Sequence, residues 1–282
     1  MITCLQDNEI ERFIEEDLPY GDLTTHLLGI GSIRGKLTFT TRGDTVICGT
    51  EEAGRVLEKC GASVTLTVPS GTAAAGGKVF FVAEGSAQSL HAGWAIAVNL
   101  LGYASGIATR TARIVRLARQ VNPSVAVVAT RKSFAGTRKV AIKAIIAGGA
   151  PPHNLSLSET ILVRRRHTPF MGGLEAFLRT LPELRTKARE ATIIVEAGSF
   201  DEALRIAKAG VDVLQVDNLP PSELKQLIDT VRTLNSSVKV AATGDINEDN
   251  VSEYAGTGVD LIVLSSVYFG TPSDIVAALV PV

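Results

Sequence analysis

The sequence is short of the features that would place it in a specialised class. Its 28 basic and 29 acidic residues leave a net charge of −1 over 282 residues. No global field therefore draws the chain to nucleic acid or to a membrane surface, and any phosphate binding must come from local clusters. There are three cysteines, Cys4, Cys48 and Cys60. An odd number at unrelated spacings excludes a disulfide framework or a zinc motif and reads as reduced thiols of a cytoplasmic protein. Residues 1–7 have neither a basic n-region nor an apolar core, so no export signal is expected there. The most apolar stretch, 94–108, is broken by Asn99 and Ser105 and is too short to span a bilayer. No glycine-rich dinucleotide fingerprint follows a strand, and no dedicated oxyanion motif is visible. What remains, 45% apolar and 20% charged residues, is ordinary globular composition with enough chain for a large core.

Hydrophobic periodicity divides the chain. Residues 8–17 place Ile10, Phe13 and Ile14 at helical spacing among acids, and 51–60 repeat the pattern with Ala53, Val56 and Leu57. Between and after them, 33–41, 45–49, 63–68 and 78–83 read as strands, followed by helices over 90–101 and about 107–120. This part is mixed α+β. From Asn122 onward the rhythm changes to short β-branched runs, 125–129, 160–163, 192–195, 211–216, 238–242 and 261–264. Helical stretches at 139–146, 174–178, 200–209, 221–234 and 247–255 separate them. Continuous apolar strands alternating with helices indicate a parallel sheet covered by helices. Six such units favour a closed or nearly closed barrel over an open doubly wound sheet. The expected fold class is α/β: an N-terminal α+β sandwich domain with a linker helix (1–108), a partly open α/β barrel (109–270), and a C-terminal segment (271–282) packing back on the first domain.

Functional residues of α/β barrels gather at the C-terminal ends of the strands. Those positions hold Thr130-Arg131-Lys132, Arg164-Arg165-Arg166-His167, Glu196, Asp217-Asn218, Thr243-Gly244-Asp245 and Ser265-Ser266. Each alone has a plain reading: a solvated pair, surface charge, a structural acceptor, a turn. Together, two basic clusters beside two acids suit a phosphorylated ligand with a divalent cation. Arginine forks onto phosphate or carboxylate oxygens, carboxylates hold Mg²⁺ directly or through water, and a glycine turn near the last strands lets backbone N–H groups approach a phosphate. His153, in the stiff loop 148–154 with Pro151 and Pro152, is either incidental or a placed side chain.

At these residues the sequence resembles the quinolinate phosphoribosyltransferase (nicotinate-nucleotide pyrophosphorylase) family over nearly its whole length. Residues 16–25 are similar to that family's opening signature. Asn99-Leu100-Leu101 with 105–109 resembles its linker helix, Thr130-Arg131-Lys132 its basic strand end, and Leu157-Ser158-Glu159 with Arg164 and His167 its next barrel unit. Glu196 and Asp217-Asn218 fall where the family places its acidic pair. The resemblance implies a dimer or higher oligomer with a shared active site. It also implies transfer of phosphoribose from phosphoribosyl pyrophosphate, with Mg²⁺, to a pyridine carboxylate. Carried onto this chain, it makes Lys132, Glu196 and Asp217 catalytic, with Glu196 and Asp217 also the Mg²⁺ ligands. Arg131, His153, Arg164, Thr243, Gly244, Ser265 and Ser266 would bind substrate, and Arg110 is a weaker candidate to reach a partner's site.

The departures bear on the acceptor. Ala95 and Asn154 stand where the family has arginines directed at quinolinate's carboxylates, Arg164 stands for a lysine, and Asp245 and Ser265 replace glycines of the phosphate loop. Each lost charge-assisted bond is worth roughly 1.5–3 kcal/mol. With Gly93-Trp94, Tyr268-Phe269 and 272–275, these departures resemble the ModD branch, homologues found with molybdenum-uptake genes. The expectation is a phosphoribosyltransferase with an altered N-heterocyclic acceptor. The alternatives are true quinolinate phosphoribosyltransferase activity, as in NAD biosynthesis, and a non-catalytic ligand-binding accessory of molybdenum utilisation.

Overall fold

A computed structural model describes residues 5–282; Cys4 and the first residues read for an export signal lie outside the described residues. In chain order the elements are α1 (Asp7–Asp17), α2 (Leu23–Leu27), β1 (Arg34–Thr41), β2 (Thr45–Val46), α3 (Thr50–Lys59), β3 (Ser63–Thr67), β4 (Ala73–Ala74), β5 (Val79–Ser86), α4 (Ala87–Val121), β6 (Ala126–Ala129), α5 (Arg138–Ala147), β7 (Ile161–Val163), α6 (Leu174–Lys187), β8 (Ile193–Ala197), α7 (Phe200–Ala209), β9 (Val213–Asp217), α8 (Pro221–Leu234), β10 (Lys239–Thr243), α9 (Val251–Ala255), β11 (Leu261–Leu264) and β12 (Ile275–Pro281). The chain divides into two compact units. One holds residues up to Arg113, Ser133–Ala150 and Val267–Val282; the other holds Ile114–Lys132 and Pro151–Ser266.

The first unit is built on an antiparallel sheet in the order β12-β1-β5-β3, with the small β2-β4 pair beside it. Strand β1 shows why: Leu37, Phe39 and Thr41 are buried while Lys36, Thr38 and Thr40 alternate with them on the other face. Phe39, Phe80 and Phe81 form the aromatic centre of its core, with Leu57 of α3 and Leu101 of α4. The apolar tail pairs along the whole of β1, from Gly35 opposite Pro281 to Thr41 opposite Ile275. The two helices expected near 90–101 and 107–120 are one continuous 35-residue helix, α4. Ser105-Gly106 does not end it because Gly102 and Gly106 serve packing: a Cβ at either would meet the backbone of residues 271–273 at 3.0–3.1 Å. Cys48 is buried and Cys60 half-buried, both free thiols; burial pushes the Cys48 thiol up to about 12, so it stays protonated and inert.

The second unit is a six-stranded parallel sheet, β6-β11-β10-β9-β8-β7. Because β11 pairs back with β6, the sheet curls round on itself. It stays open between β6 and β7, where, among the described residues, only Pro152 bridges to Ala129. This is the partly open barrel expected from the rhythm of the sequence. Its interior is a cluster of small and branched side chains: Val128, Ile194, Val213, Ala241 and Val263, with Leu162 and Leu261. The outer helices carry clear start and stop signals. Ser199 caps α7 by accepting from Glu202 N at 3.2 Å, and Gly210 ends it at φ +81°. Pro221 opens α8. No helix among the described residues is long and apolar enough to cross a membrane.

Candidate functional site

The strand alternation fixes what the barrel presents at its C-terminal end. Ile194, Val213, Ala241 and Val263 face the interior, so residues two or four further along the same strands face it too. On β8 that is Glu196, on β9 Gln215 and Asp217, and on β10 Thr243; Ser265 follows β11. The register sets them side by side: Glu196 beside Gln215, Asp217 beside Thr243, Thr243 beside Val263. Glu196, Asp217 and Thr243 are thus strand residues, each one position beyond the strand end expected from the sequence. Neither acid makes an ion pair or side-chain hydrogen bond among the described residues, and Asp217 is exposed.

Loops lock around this end. Asn218, just past β9, is left-handed at φ 54°, alone among the described non-glycine residues. Its side-chain Oδ1 accepts from Asp245 N at 3.0 Å, and its own N–H donates to Thr243 O at 2.9 Å. Gly244 sits against it at φ +123°; a Cβ there would lie 2.2 Å from Asn218 Oδ1 and 2.8 Å from Asn218 N. Only glycine fits so close an approach. Asp245 is exposed, and its carbonyl accepts from Asn250 Nδ2 at 2.9 Å. Across β11 and β6, the hydroxyls of Ser265 and Thr130 are 3.0 Å apart. Ser266, also expected at the site, instead donates to Ile246 O at 2.7 Å, which makes it a brace of the loop.

The basic residues follow the two edge strands of the sheet, β6 and β7, with the acid-bearing β8 and β9 between them. Arg131 is half-buried and Lys132 exposed, directly after β6. Arg164 is exposed after β7, its N–H held by His167 Nδ1 at 3.0 Å. Arg165 lies over Gly198, where a Cβ would come 2.2 Å from its Nε; among the three arginines of that run, it is the one held against the loop after β8. Arg110 is committed within the first unit: Nε donates to Val267 O at 3.0 Å and Nη1 to Thr271 O at 2.6 Å. A structural tie of that kind is what the sequence alone did not distinguish from a site role.

His153 is drawn in by backbone bonds that run beside β6, with Ala129 N donating to Pro151 O at 3.1 Å and His153 N to Ala129 O at 2.8 Å. Its buried Nε2 has no partner. Burial holds the imidazole below its usual range and so neutral; the Gln215 side chain opposes that shift in part, while the Arg164 charge adds to it. Asn154 is buried and spent within its loop, Nδ2 donating to Thr160 Oγ1 and Oδ1 accepting from Ser156 N. A cavity of about 550 Å³ lies at the opposite, N-terminal strand ends, beside Ala126, Thr192, Lys239 and Leu261, and shares only His153 with the predicted set. Gln215 escaped the sequence reading; its one signal is an amide in the middle of an otherwise apolar β9.

A divalent ion fits the donor set. Two carboxylates without partners suit Mg²⁺, which binds through one or two carboxylates and takes its remaining ligands from phosphates and water. No cluster of three or more His, Cys, Asp or Glu able to hold an ion exists among the described residues.

Two family models match the chain. The model described as quinolinate phosphoribosyl transferase, C-terminal domain, matches residues 107–275, and its N-terminal counterpart matches 22–105. A putative pyrophosphorylase ModD of Rhodobacter capsulatus is 38% identical over 79% of this chain and 86% of its own. One from Pasteurella multocida is 32% identical over 95% of both. A probable carboxylating nicotinate-nucleotide pyrophosphorylase of Archaeoglobus fulgidus is 29% identical over 91% of this chain and 96% of its own. Among solved structures, NadC from Streptococcus pyogenes superposes with a TM-score of 0.88 at 23% identity over 99% of both chains, a likeness of fold.

Proposed function

From the premise that the chain belongs to the quinolinate phosphoribosyl transferase family, we propose that it transfers phosphoribose from phosphoribosyl pyrophosphate to the ring nitrogen of an N-heterocycle other than quinolinate. The observation that carries this is the shared interior face of Glu196, Asp217 and Thr243 at one end of the barrel, beside a glycine turn and two basic strand ends. In the reaction, the bond from ring nitrogen to the anomeric carbon forms as the bond from that carbon to the diphosphate oxygen breaks. The electron pair leaves with pyrophosphate. Positive charge develops on the ribose, where Glu196 and Asp217 stabilise it, and negative charge on the leaving group, which Lys132 and Arg131 neutralise. Mg²⁺, when bound, screens the diphosphate, and the two acids would hold it directly or through water. Gly244 with Thr243 and Ser265 receives the sugar phosphate; Arg164 and His153 face the acceptor. No residue acts as a covalent nucleophile.

The altered acceptor rests on the residues standing where the family's two arginines would be. Ala95 carries no charge, and Asn154 is occupied within its own loop. The relatives named pyrophosphorylase ModD are also the more similar in sequence. Exposed Leu23, Leu27 and Leu28 on the first unit support self-association, as a homodimer or higher oligomer.

The test is calorimetry of phosphoribosyl pyrophosphate with Mg²⁺, followed by a screen of N-heterocycles for pyrophosphate release. Binding and turnover are expected, and Asp217→Asn should lower turnover about 10²–10³-fold. No binding at all would refute the transferase reading in favour of a non-catalytic accessory. Robust conversion of quinolinate to nicotinate mononucleotide would refute the altered acceptor alone.

A further inference from the structure

Two buried polar atoms of the second unit have no hydrogen-bond partner in the fold. Gln215 lies at the centre of β9, 7% exposed, and its buried Oε1 has no hydrogen-bond partner. The buried Nε2 of His153 has none either. A buried amide or imidazole left without partners costs more than an apolar side chain of the same shape. Its place in an otherwise apolar strand, Val213-Leu214-Gln215-Val216, therefore has no structural explanation. Were the two groups to bond to each other, most of the capacity would remain, since a glutamine amide has two donor hydrogens and two acceptor lone pairs and a neutral imidazole one of each. Gln215 stands in register with Glu196 and two residues before Asp217, on the same inward face. Gln215 therefore adjoins the acids assigned to the ribose and metal.

We infer that Gln215, with His153, reads the acceptor: Oε1 accepts from an N–H or O–H on the heterocycle, so the acceptor is an uncharged ring bearing a carboxamide, amino or hydroxyl donor. A carboxylate presented at that point has only lone pairs to offer the amide oxygen. This inference rests on the phosphoribosyl transfer proposed above and names the substrate class that transfer uses.

The experiment uses the purified full chain with Mg²⁺ and phosphoribosyl pyrophosphate. Pyrophosphate release is compared on matched pairs: nicotinamide against nicotinate, and 3-aminopyridine or 3-hydroxypyridine against quinolinate. The donor-bearing ring should be preferred by about tenfold or more in kcat/KM. Gln215→Met should abolish that preference chiefly through the acceptor KM. Gln215→Glu, which keeps the acceptor oxygens, should retain it. The ratio between paired substrates is a readout that loss of folding does not move. A preference for the carboxylates would mean that the amide turns its nitrogen to the ligand, and overturns the proposal, as does a ratio unchanged in Gln215→Met. If phosphoribosyl pyrophosphate itself fails to bind, the transferase reading falls and this inference falls with it. If it binds but the paired substrates react equally, this inference falls alone.

Discussion

Two regions of the molecule bury polar groups in opposite ways. In the first unit, Lys143 of α5 has a side chain only 3% exposed, and its ammonium is saturated. It donates to Glu52 at 2.6 and 2.7 Å and to Glu51 at 2.8 Å, while Ser70 N and Oγ close the remaining positions on Glu51. In the second unit, Gln215 Oε1 and His153 Nε2 are buried without a hydrogen-bond partner. The first arrangement is complete without a ligand; the second is not. Buried polar groups that satisfy one another hold a structure, and those that do not hold out for something else.

The comparison breaks most easily at its satisfied end. Lys143→Met leaves the Glu52 carboxylate, 4% exposed, without its cation, and should cost about 3–5 kcal/mol in urea unfolding. Lys143→Met combined with Glu52→Leu should regain most of that, because the cost lies in the orphaned charge. The triad also has a pH signature. Burial alone would raise the Glu51 carboxyl, but bonds from Lys143 and Ser70 outweigh it and hold the group at about 2, against an ordinary 4.5. A lowered folded-state value means that Glu51 contributes fully above about pH 4.5 and loses its contribution as pH falls towards 2. Unfolding midpoints measured from pH 6 to pH 2 should show this loss in the native chain and a smaller one in Lys143→Met, where the Ser70 bonds remain.

At the unsatisfied end, Gly244→Ala forces a Cβ into Asn218 at a positive φ. It should cost about 1–3 kcal/mol of stability and weaken binding of phosphoribosyl pyrophosphate in calorimetry. Unchanged affinity would remove this turn from the phosphate site. The smallest effect belongs to an ion pair of neither kind. Arg42 and Asp274 meet at 2.7 Å at the end of the β1–β12 pairing but are 71% and 61% exposed. Arg42→Ala should shift stability by under about 1 kcal/mol, less at high salt.

Most of the barrel was legible from residues alone, because continuous apolar runs of strand length separated by amphipathic helices have few alternative packings. The period also carried Glu196, Asp217 and Thr243 to one end. It carried no information on hydrogen-bond partners. The bonds of Arg110 and Ser266 to the Val267, Thr271 and Ile246 carbonyls had no signal in the sequence. The continuity of α4 was hidden by Ser105-Gly106, since a glycine chosen for close packing is indistinguishable in sequence from one that ends a helix. Lys143 and Gln215 share one overlooked signal: each is a polar residue set into an apolar run, Val140-Ala141-Ile142-Lys143-Ala144 and Val213-Leu214-Gln215-Val216. The break in pattern marks the position but not whether the fold or a ligand completes it.

The pairing of β12 with β1 sets a timetable for synthesis. Strand β1 is made early, yet one of its two edges has no partner until Ile275–Pro281 has left the ribosome, about 240 residues later. The six barrel strands all emerge in between. The barrel can thus form on the nascent chain, while the sheet that was begun first is the last to be completed. During that interval its core strand carries an open edge that invites wrong partners.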